Sequence, residues 1–122
     1  MADKRRLQRY GDSIKRNLGQ IIEHRLQNPN KGFITLTRVK MSPDLRIASV
    51  YYTVLGDEDQ KNKTSEVLKH STAFLKNELR PYITSRWMPD LRFFYDDSLE
   101  YADRINQLLK KIENDSNSEE GQ

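Results

Sequence analysis

The amino-acid sequence predicts an α+β domain in which helices cover one face of a three-stranded mixed sheet. Apolar residues recur at the three- and four-residue spacing of amphipathic helices in residues 7–26, 67–79 and 99–112. Runs rich in β-branched and aromatic residues, typical of strands, lie at 33–41, 45–54 and 91–95. A chain of 122 residues can bury one hydrophobic core, so we expect a single domain.

The first predicted helix covers the first 27 residues and has a basic face opposite its apolar stripe. The stripe consists of Leu7, Tyr10, Ile14, Leu18, Ile21, Ile22 and Leu26. A run of turn formers from Asn28 to Gly32 follows, and Pro29 lacks the backbone N–H that a continuing helix would need. We therefore expect the helix to end before Pro29.

Phe33 to Met41 and Leu45 to Val54 predict two antiparallel strands, with a turn at Ser42-Pro43-Asp44-Leu45 between them. The second strand alternates two sets of side chains. One set is Ala48, Val50, Tyr52 and Val54, and the other is Ile47, Ser49, Tyr51 and Thr53. A sheet with helices on one side would bury the first set.

The next segment begins with a charged connection, Gly56 to Lys63, and continues as a helical region up to Pro81, where the helix should end or kink. Tyr82 to Met88 forms an apolar exit from this region. Pro89-Asp90 then turns the chain into a third strand, Leu91 to Tyr95.

A last helix follows the third strand, and Asp97 with Glu100 has the spacing of a capping box at its start. Its apolar stripe consists of Leu99, Ala102, Ile105, Leu108, Leu109 and Ile112. Residues 114–122 have no such stripe. We therefore predict a domain over residues 1–113 and a disordered acidic tail over residues 114–122.

The order of elements also predicts the sheet topology. A helical crossover between two strands of one sheet joins parallel strands, so the third strand should run parallel to the second and the first antiparallel to it. The order helix-strand-strand-helix-helix-strand, with an added C-terminal helix, resembles that of the type II K-homology domain. That fold binds RNA and normally holds its backbone with a Gly-x-x-Gly loop. This chain has no glycine between Gly56 and Gly121, so the loop is absent.

Six short motifs occur in order between residues 7 and 112. They are Gln8-Arg9, Asn28-Pro29, Ser42-Pro43-Asp44-Leu45, Ala48-Ser49-Val50-Tyr51, Pro89-Asp90-Leu91-Arg92-Phe93 and Asp96-Asp97-Ser98. Together they resemble the ribosome-binding factor A family, bacterial assembly factors of the small ribosomal subunit. The resemblance implies binding to the immature 30S subunit near the 5′ end of 16S ribosomal RNA. It also implies that the protein assists the processing and assembly of that RNA and that this role includes adaptation to cold.

The family has an Ala-x-Gly helix break in place of the Gly-x-x-Gly loop. The matching positions here are Ser71, Thr72 and Ala73, which include no glycine. A bend at this place would have to come from packing, or from the Ser71 and Thr72 hydroxyls competing for backbone carbonyls. A kink near Pro81 is the alternative.

Positive charge is concentrated in the body of the chain. The sequence has 21 Lys and Arg against 18 Asp and Glu, and the last nine residues hold three of the acids and no base. The body therefore carries about +6, which favours a polyanion such as RNA. Two groups of bases are candidate phosphate contacts. The junction cluster is Lys69, Lys76, Arg80, Arg86 and Arg92, and the helix 1 cluster is Arg5, Arg6, Arg9, Lys15 and Arg16.

Three aromatic residues near the exit, Tyr82, Trp87 and Phe93, are candidates for stacking on RNA bases. Aromatic residues of this spacing more often belong to a hydrophobic core, and we expect core positions for them in general. Trp87 is the expected exception, because charged and polar residues flank it.

A catalytic alternative rests on Asp90, Asp96, Asp97 and Glu100, whose proximity in sequence suggests a two-metal nuclease. Asp90 is better explained as the lead-in to a strand, and Asp97 with Glu100 as a helix cap. The two histidines, His24 and His70, have no cysteines or suitably spaced carboxylates around them to complete a metal site. We predict no enzyme activity, no catalytic residues, no metal and no cofactor.

The sequence contains no cysteine, which excludes disulfides and thiolate chemistry and fits a reducing compartment. It has neither an apolar signal segment nor a membrane-spanning run. We expect a cytoplasmic protein that is monomeric when free and has no membrane partner. A general K-homology-like RNA-binding protein, or a protein-interaction adaptor that uses Tyr82 to Met88 as an exposed apolar patch, remains an alternative.

Overall fold

The computed structural model describes the backbone of residues 3–120 and the side chains of residues 3–115. Its elements are α1 (Lys4–His24), β1 (Phe33–Met41), β2 (Ile47–Leu55), α2 (Glu58–His70), α3 (Thr72–Leu79), a 3-10 turn (Arg80–Tyr82), β3 (Asp90–Tyr95) and α4 (Ser98–Glu120). The strand order is β1-β2-β3, with β1 antiparallel and β3 parallel to β2. The predicted α+β, type II K-homology-like fold is confirmed.

Helix α1 begins where the Asp3 carboxylate accepts the Arg6 backbone N–H at 2.8 Å, a side-chain cap that satisfies one of the free donors of the first turn. It ends at His24, before the predicted end at residue 27. The last turn is widened there, because the Ile21 carbonyl accepts both the Arg25 N–H, four residues on, and the Leu26 N–H, five residues on. Leu26 is nevertheless buried, as its place in the apolar stripe predicts.

Helix α1 crosses β1 at very short range. Gly11 is buried in α1, and a Cβ atom at this position would lie 2.5 Å from the Val39 carbonyl oxygen. Only glycine leaves room for this approach. The contact allows Ile14 and Leu18 to reach the sheet, where they join the core.

The sheet buries one of its two faces. On β2, Ala48, Val50, Tyr52 and Val54 are buried against the helices, as the alternation predicts. The predicted start of β2 at Leu45 is wrong: Leu45 has a φ of 62° and lies in the turn, and the strand begins at Ile47.

The predicted charged connection from Gly56 to Lys63 is wrong for most of its length, because α2 begins at Glu58. The Asp57 carboxylate accepts the Gln60 N–H at 2.9 Å, and acidic residues at Glu58 and Asp59 favour the positive end of the helix dipole. These residues start the helix before any apolar stripe is visible in the sequence.

The predicted capping box at the start of α4 is also wrong. The carboxylate of Asp96, rather than that of Asp97, accepts the Ser98 N–H at 3.0 Å. Glu100 instead accepts hydrogen bonds from the Lys61 ammonium and the Tyr95 hydroxyl, which tie the start of α4 to α2 and β3.

Helix α4 leaves the body after this first turn. Its apolar stripe is exposed rather than packed, at Leu99, Ile105, Leu108, Leu109 and Ile112. The backbone is helical to Glu120, although we expected the helix to end before Asn114. Disorder of residues 114–122 stays a prediction, and Gly121 and Gln122 lie outside the described residues.

Replacing Gly11 by alanine should destabilise the protein, and the same change at Gly19 should stabilise it. Alanine at either position favours a helix by about 0.5–1 kcal/mol. At Gly19 the new Cβ meets only the Leu36 Cδ1 at 4.0 Å, whereas at Gly11 it meets a backbone carbonyl at 2.5 Å. We expect Gly11→Ala to lower the free energy of unfolding by about 1–3 kcal/mol, measured by urea denaturation. Equal and favourable effects at both positions would disprove the close contact.

Asp96 should contribute to the acid sensitivity of the fold. Hydrogen bonds from Ser98 and Thr37 lower the pKa of its carboxyl from 3.8 to about 2. A depressed pKa in the folded state means that the contribution to stability is present above about pH 4 and is lost as the pH falls towards 2. In urea titrations, Asp96→Asn should therefore reduce the loss of stability over this interval. A wild-type acid profile for Asp96→Asn would contradict the assignment.

Candidate nucleic-acid interface

The junction between α2 and α3 is centred on Ser71, which separates the two helices. Ser71 has φ −100° and ψ 4°, angles open to any L-residue. The Thr72 hydroxyl donates to the carbonyls of Leu68 at 2.9 Å and Lys69 at 3.2 Å. The threonine therefore satisfies carbonyls freed by the break, and no glycine is needed. Ala73 lies within α3, and Pro81 lies in the 3-10 turn after it.

The exit from the junction is held against α1. After the 3-10 turn, the chain runs without regular structure to β3, and the Ser85 hydroxyl is hydrogen-bonded to the Tyr10 hydroxyl of α1. Arg25, directly after α1, donates to Glu78 at 2.9 Å and to the Tyr82 hydroxyl at 3.4 Å. The bonds of Tyr10 to Ser85 and of Arg25 to Tyr82 fix the exit beside α1.

The junction cluster is only partly assembled. Arg80 and Arg86 are exposed on the exit. Lys76 forms an ion pair with Asp90 at 2.9 Å, which lowers the pKa of the aspartate, and Lys69 lies 3.8 Å from Glu66. Arg92 does not join the cluster: its neighbours on β3 face the core, so it extends from the other face of the sheet.

Trp87 is the most exposed of the three candidate aromatic residues. Its side chain is 53% exposed, whereas Phe93 packs against the core and Tyr82 is held by Arg25. The guanidinium carbons of Arg86 and Arg46 lie 5.1 and 5.8 Å from the Trp87 ring centroid. This arrangement combines an aromatic surface for a base with two cations for the adjoining phosphates.

Arg46 is a site residue that no sequence motif reveals. It follows the β1–β2 turn and lies 41 positions before Trp87 in the sequence. The two are brought together because the Arg46 carbonyl accepts the Asp90 N–H at 2.8 Å, at the start of the parallel β2–β3 pairing. No local pattern signals this contact.

The helix 1 cluster is divided between two depressions on the surface. Arg6 and Arg9 line one of them together with Tyr10 and residues 82–84 of the exit. These two arginines therefore lie beside the exit. Lys15 and Arg16 line the other, between α1 and β1, together with Lys31. Arg5 is exposed at the start of α1.

The candidate nuclease carboxylates do not share a site. Asp90 pairs with Lys76, Asp96 accepts from Thr37 and Ser98, and Glu100 accepts from Lys61 and Tyr95. Among the described side chains, which are those of residues 3–115, no group of three or more histidine or acidic residues is arranged to hold a metal ion.

The two histidines are exposed, and each lies beside a glutamate, His24 by Glu23 and His70 by Glu66. Among the helices of the described segment, none has the length and apolar character needed to cross a membrane.

Comparison with known proteins gives a consistent family. The family model described as ribosome-binding factor A matches residues 6–109. A ribosome-binding factor A from Macrococcus caseolyticus is 40% identical over 110 residues, which are 90% of this chain and 96% of that protein.

Two structural comparisons show the same fold. The crystal structure of ribosome-binding factor A from Thermus thermophilus has a TM-score of 0.63 and 24% identity, over 71% of this chain and 92% of that one. A Thermus thermophilus ribosome-binding factor A homology model, fitted into a cryo-EM map of a 30S complex, has a TM-score of 0.59 and 24% identity, over 71% and 91%. The family match over residues 6–109 and the 40% identity to a relative of nearly equal length together show that this chain belongs to the ribosome-binding factor A family.

Proposed function

We propose that this chain binds the immature 30S ribosomal subunit near the 5′ end of 16S ribosomal RNA and assists the processing and assembly of that RNA, including cold adaptation. It acts in the cytoplasm, as a monomer when free and without enzymatic activity. Family membership across most of the chain carries the proposal. The fitting of a Thermus relative into a 30S complex supports the choice of partner.

The proposed RNA contact is the exit surface, which we define as Arg6, Arg9, Arg46, Arg80, Arg86 and Trp87. Its residues come from α1, the β1–β2 turn and the segment after α3, and all six are exposed. Guanidinium groups bind phosphate through several donors at once, and an exposed indole ring can stack on an unpaired base. The surface thus offers both kinds of contact that single-stranded RNA needs.

The non-enzymatic role is supported by the state of the acidic residues. Each of the carboxylates considered for catalysis accepts hydrogen bonds from a neighbouring cation or hydroxyl, except Asp97, which is exposed. A metal-dependent nuclease would need several of them to converge on one ion.

The alternative function is a general RNA-binding or protein-interaction adaptor without ribosome specificity. The exposure of Tyr82 and Trp87 favours this alternative, because both belong to the predicted apolar patch. Protein binding through such a patch should change little with salt, whereas RNA binding should weaken steeply.

The purified chain should sediment with free small subunits at low salt, and it should not sediment with complete ribosomes. Gradient fractions probed for a tagged chain would measure this. The double variant Arg80→Glu/Arg86→Glu should bind the subunits less well and should therefore move towards the top of the gradient. A wild-type chain that stays at the top in the presence of small subunits would contradict ribosome binding.

Charge reversal should identify the dominant basic surface. Arg80→Glu/Arg86→Glu removes two cations of the exit surface, and Arg5→Glu/Arg16→Glu removes two exposed cations elsewhere on α1. For single-stranded RNA, each lost phosphate contact lowers the slope of log affinity against log salt by about 0.7, so we expect a change of about 1.4 for the first variant only.

Circular dichroism should show that both double variants are folded. A loss of slope in the Arg5→Glu/Arg16→Glu variant alone would place the RNA on the part of α1 that carries Arg5 and Arg16, outside the exit surface.

A further inference from the structure

The middle of the second face of the sheet is covered by no helix within the described residues, and only the end formed by Phe33, Thr35, Thr53 and Leu55 is bordered by the first turn of α4. Helices α1, α2 and α3 all pack on the side of the sheet where Ala48, Val50 and Leu91 are buried. On the opposite side, Ser49 and Tyr51 are partly exposed and Phe94 is 43% exposed. We refer to this side as the open face.

A row of stacked groups crosses the middle of the open face. Arg38 of β1 is paired with Tyr51 of β2, which is in turn paired with Phe94 of β3. The Arg38 guanidinium carbon lies 4.4 Å from the Tyr51 ring centroid, and the Tyr51 and Phe94 centroids are 5.5 Å apart at an interplanar angle of 31°. The row thus presents two aromatic rings with a cation at one end.

A β-bulge is responsible for the direction of Arg38. The pairing register shifts between Leu36 and Arg38, and both Leu36 and Val39 are buried on the helix side. Regular alternation would have put Arg38 on the same side as Leu36. The Thr37 hydroxyl, which donates to the Tyr51 carbonyl at 3.3 Å and to the Asp96 carboxylate at 2.6 Å, holds the bulge in place.

A second row adds two further cations. Lys40 and Arg92 flank Ser49 on either side, two residues along the strands from the first row and therefore about 6.6 Å away. Among the described residues, no ion pair involves Arg38, Lys40 or Arg92.

Two acids act on these rows. Asp90 is paired with Lys76, whereas Asp96 accepts only from neutral donors and keeps a negative charge that attracts Arg38. Three cations against this one unneutralised carboxylate leave the open face with a net positive charge.

We propose that the open face is a second RNA-binding surface, on which an unpaired base stacks on Phe94 and Tyr51 while Arg38, Lys40 and Arg92 contact the adjoining phosphates. The proposal rests on the proposed function, in that the chain binds RNA. The complementarity of charge selects the partner. A protein partner would need a much larger contact area, about 800 Å² on each side, than two rings surrounded by cations offer.

The test uses the full-length chain and a labelled single-stranded RNA of mixed sequence, about twelve nucleotides long, a length within the range of single-strand binding sites. Phe94→Leu removes the aromatic ring but keeps an apolar side chain, and we expect it to weaken binding by about five- to a hundredfold. Its matched control is Phe33→Leu. Phe33 is 72% exposed and lies at the other end of the sheet, paired with Leu55 and away from Arg38, Lys40 and Arg92. It borders the depression that Lys15, Arg16 and Lys31 line instead.

A second probe separates stacking from charge. An abasic oligonucleotide of the same length has the phosphates but no bases, so Phe94→Leu should leave its binding unchanged. The salt slope for the mixed-sequence RNA should also stay at its wild-type value in Phe94→Leu, whereas Arg38→Gln should lower it by about 0.7.

The outcomes distinguish this proposal from the proposed function. If Phe94→Leu and Arg38→Gln bind both probes like the wild type while Arg80→Glu/Arg86→Glu does not, the open face is overturned and RNA binding stands. Equal weakening by Phe33→Leu, or equal loss with the abasic probe, also overturns it. If the wild-type chain binds neither probe, the open-face proposal fails, and sedimentation with small subunits decides the proposed function separately. Unchanged RNA affinity with reduced sedimentation on small subunits would assign the open face to a protein partner instead.

Discussion

The arrangement of this protein depends on the contact between helix α1 and the backbone of β1. Gly11 lets α1 approach the β1 backbone at Val39 more closely than any side chain would allow. The apolar stripe of α1 can therefore pack directly on the sheet. Helix α3 packs against α1 on the same side, with Leu75 and Leu79 fully buried between them and the strands. Close packing of this kind excludes water from one face of the sheet and leaves the other face without a cover.

The candidate interface follows from this one-sided packing. The exit segment has no regular structure of its own and takes its position from α1, through the bonds of Tyr10 to Ser85 and of Arg25 to Tyr82. Arg6 and Arg9 of α1 therefore lie beside the exit, whereas Arg46 reaches Trp87 through the start of the β2–β3 pairing. Loops held by a rigid scaffold are a common place for binding residues, because their side chains are exposed while their backbone is fixed.

The helix junction shows how the chain replaces a glycine. Ser71 adopts angles that need no glycine, and the Thr72 hydroxyl bonds to carbonyls of the preceding helix. The sequence leaves open whether packing or the Ser71 and Thr72 hydroxyls produce the bend, and among the described residues only the Thr72 hydroxyl makes such a bond. Hydroxyl groups in helices can compete for backbone carbonyls in this way and bend the chain.

The sequence by itself determined the order of the elements, the strand directions and the buried side of β2, because these follow from local periodicity and from the handedness of crossovers. It also identified Trp87 as an exposed aromatic residue. Only the tertiary structure decided that Arg46 lies beside Trp87, that Arg92 belongs to the opposite face, and that a bulge reverses the alternation of β1. Such contacts depend on strand register between residues far apart in sequence, and no local pattern records that register.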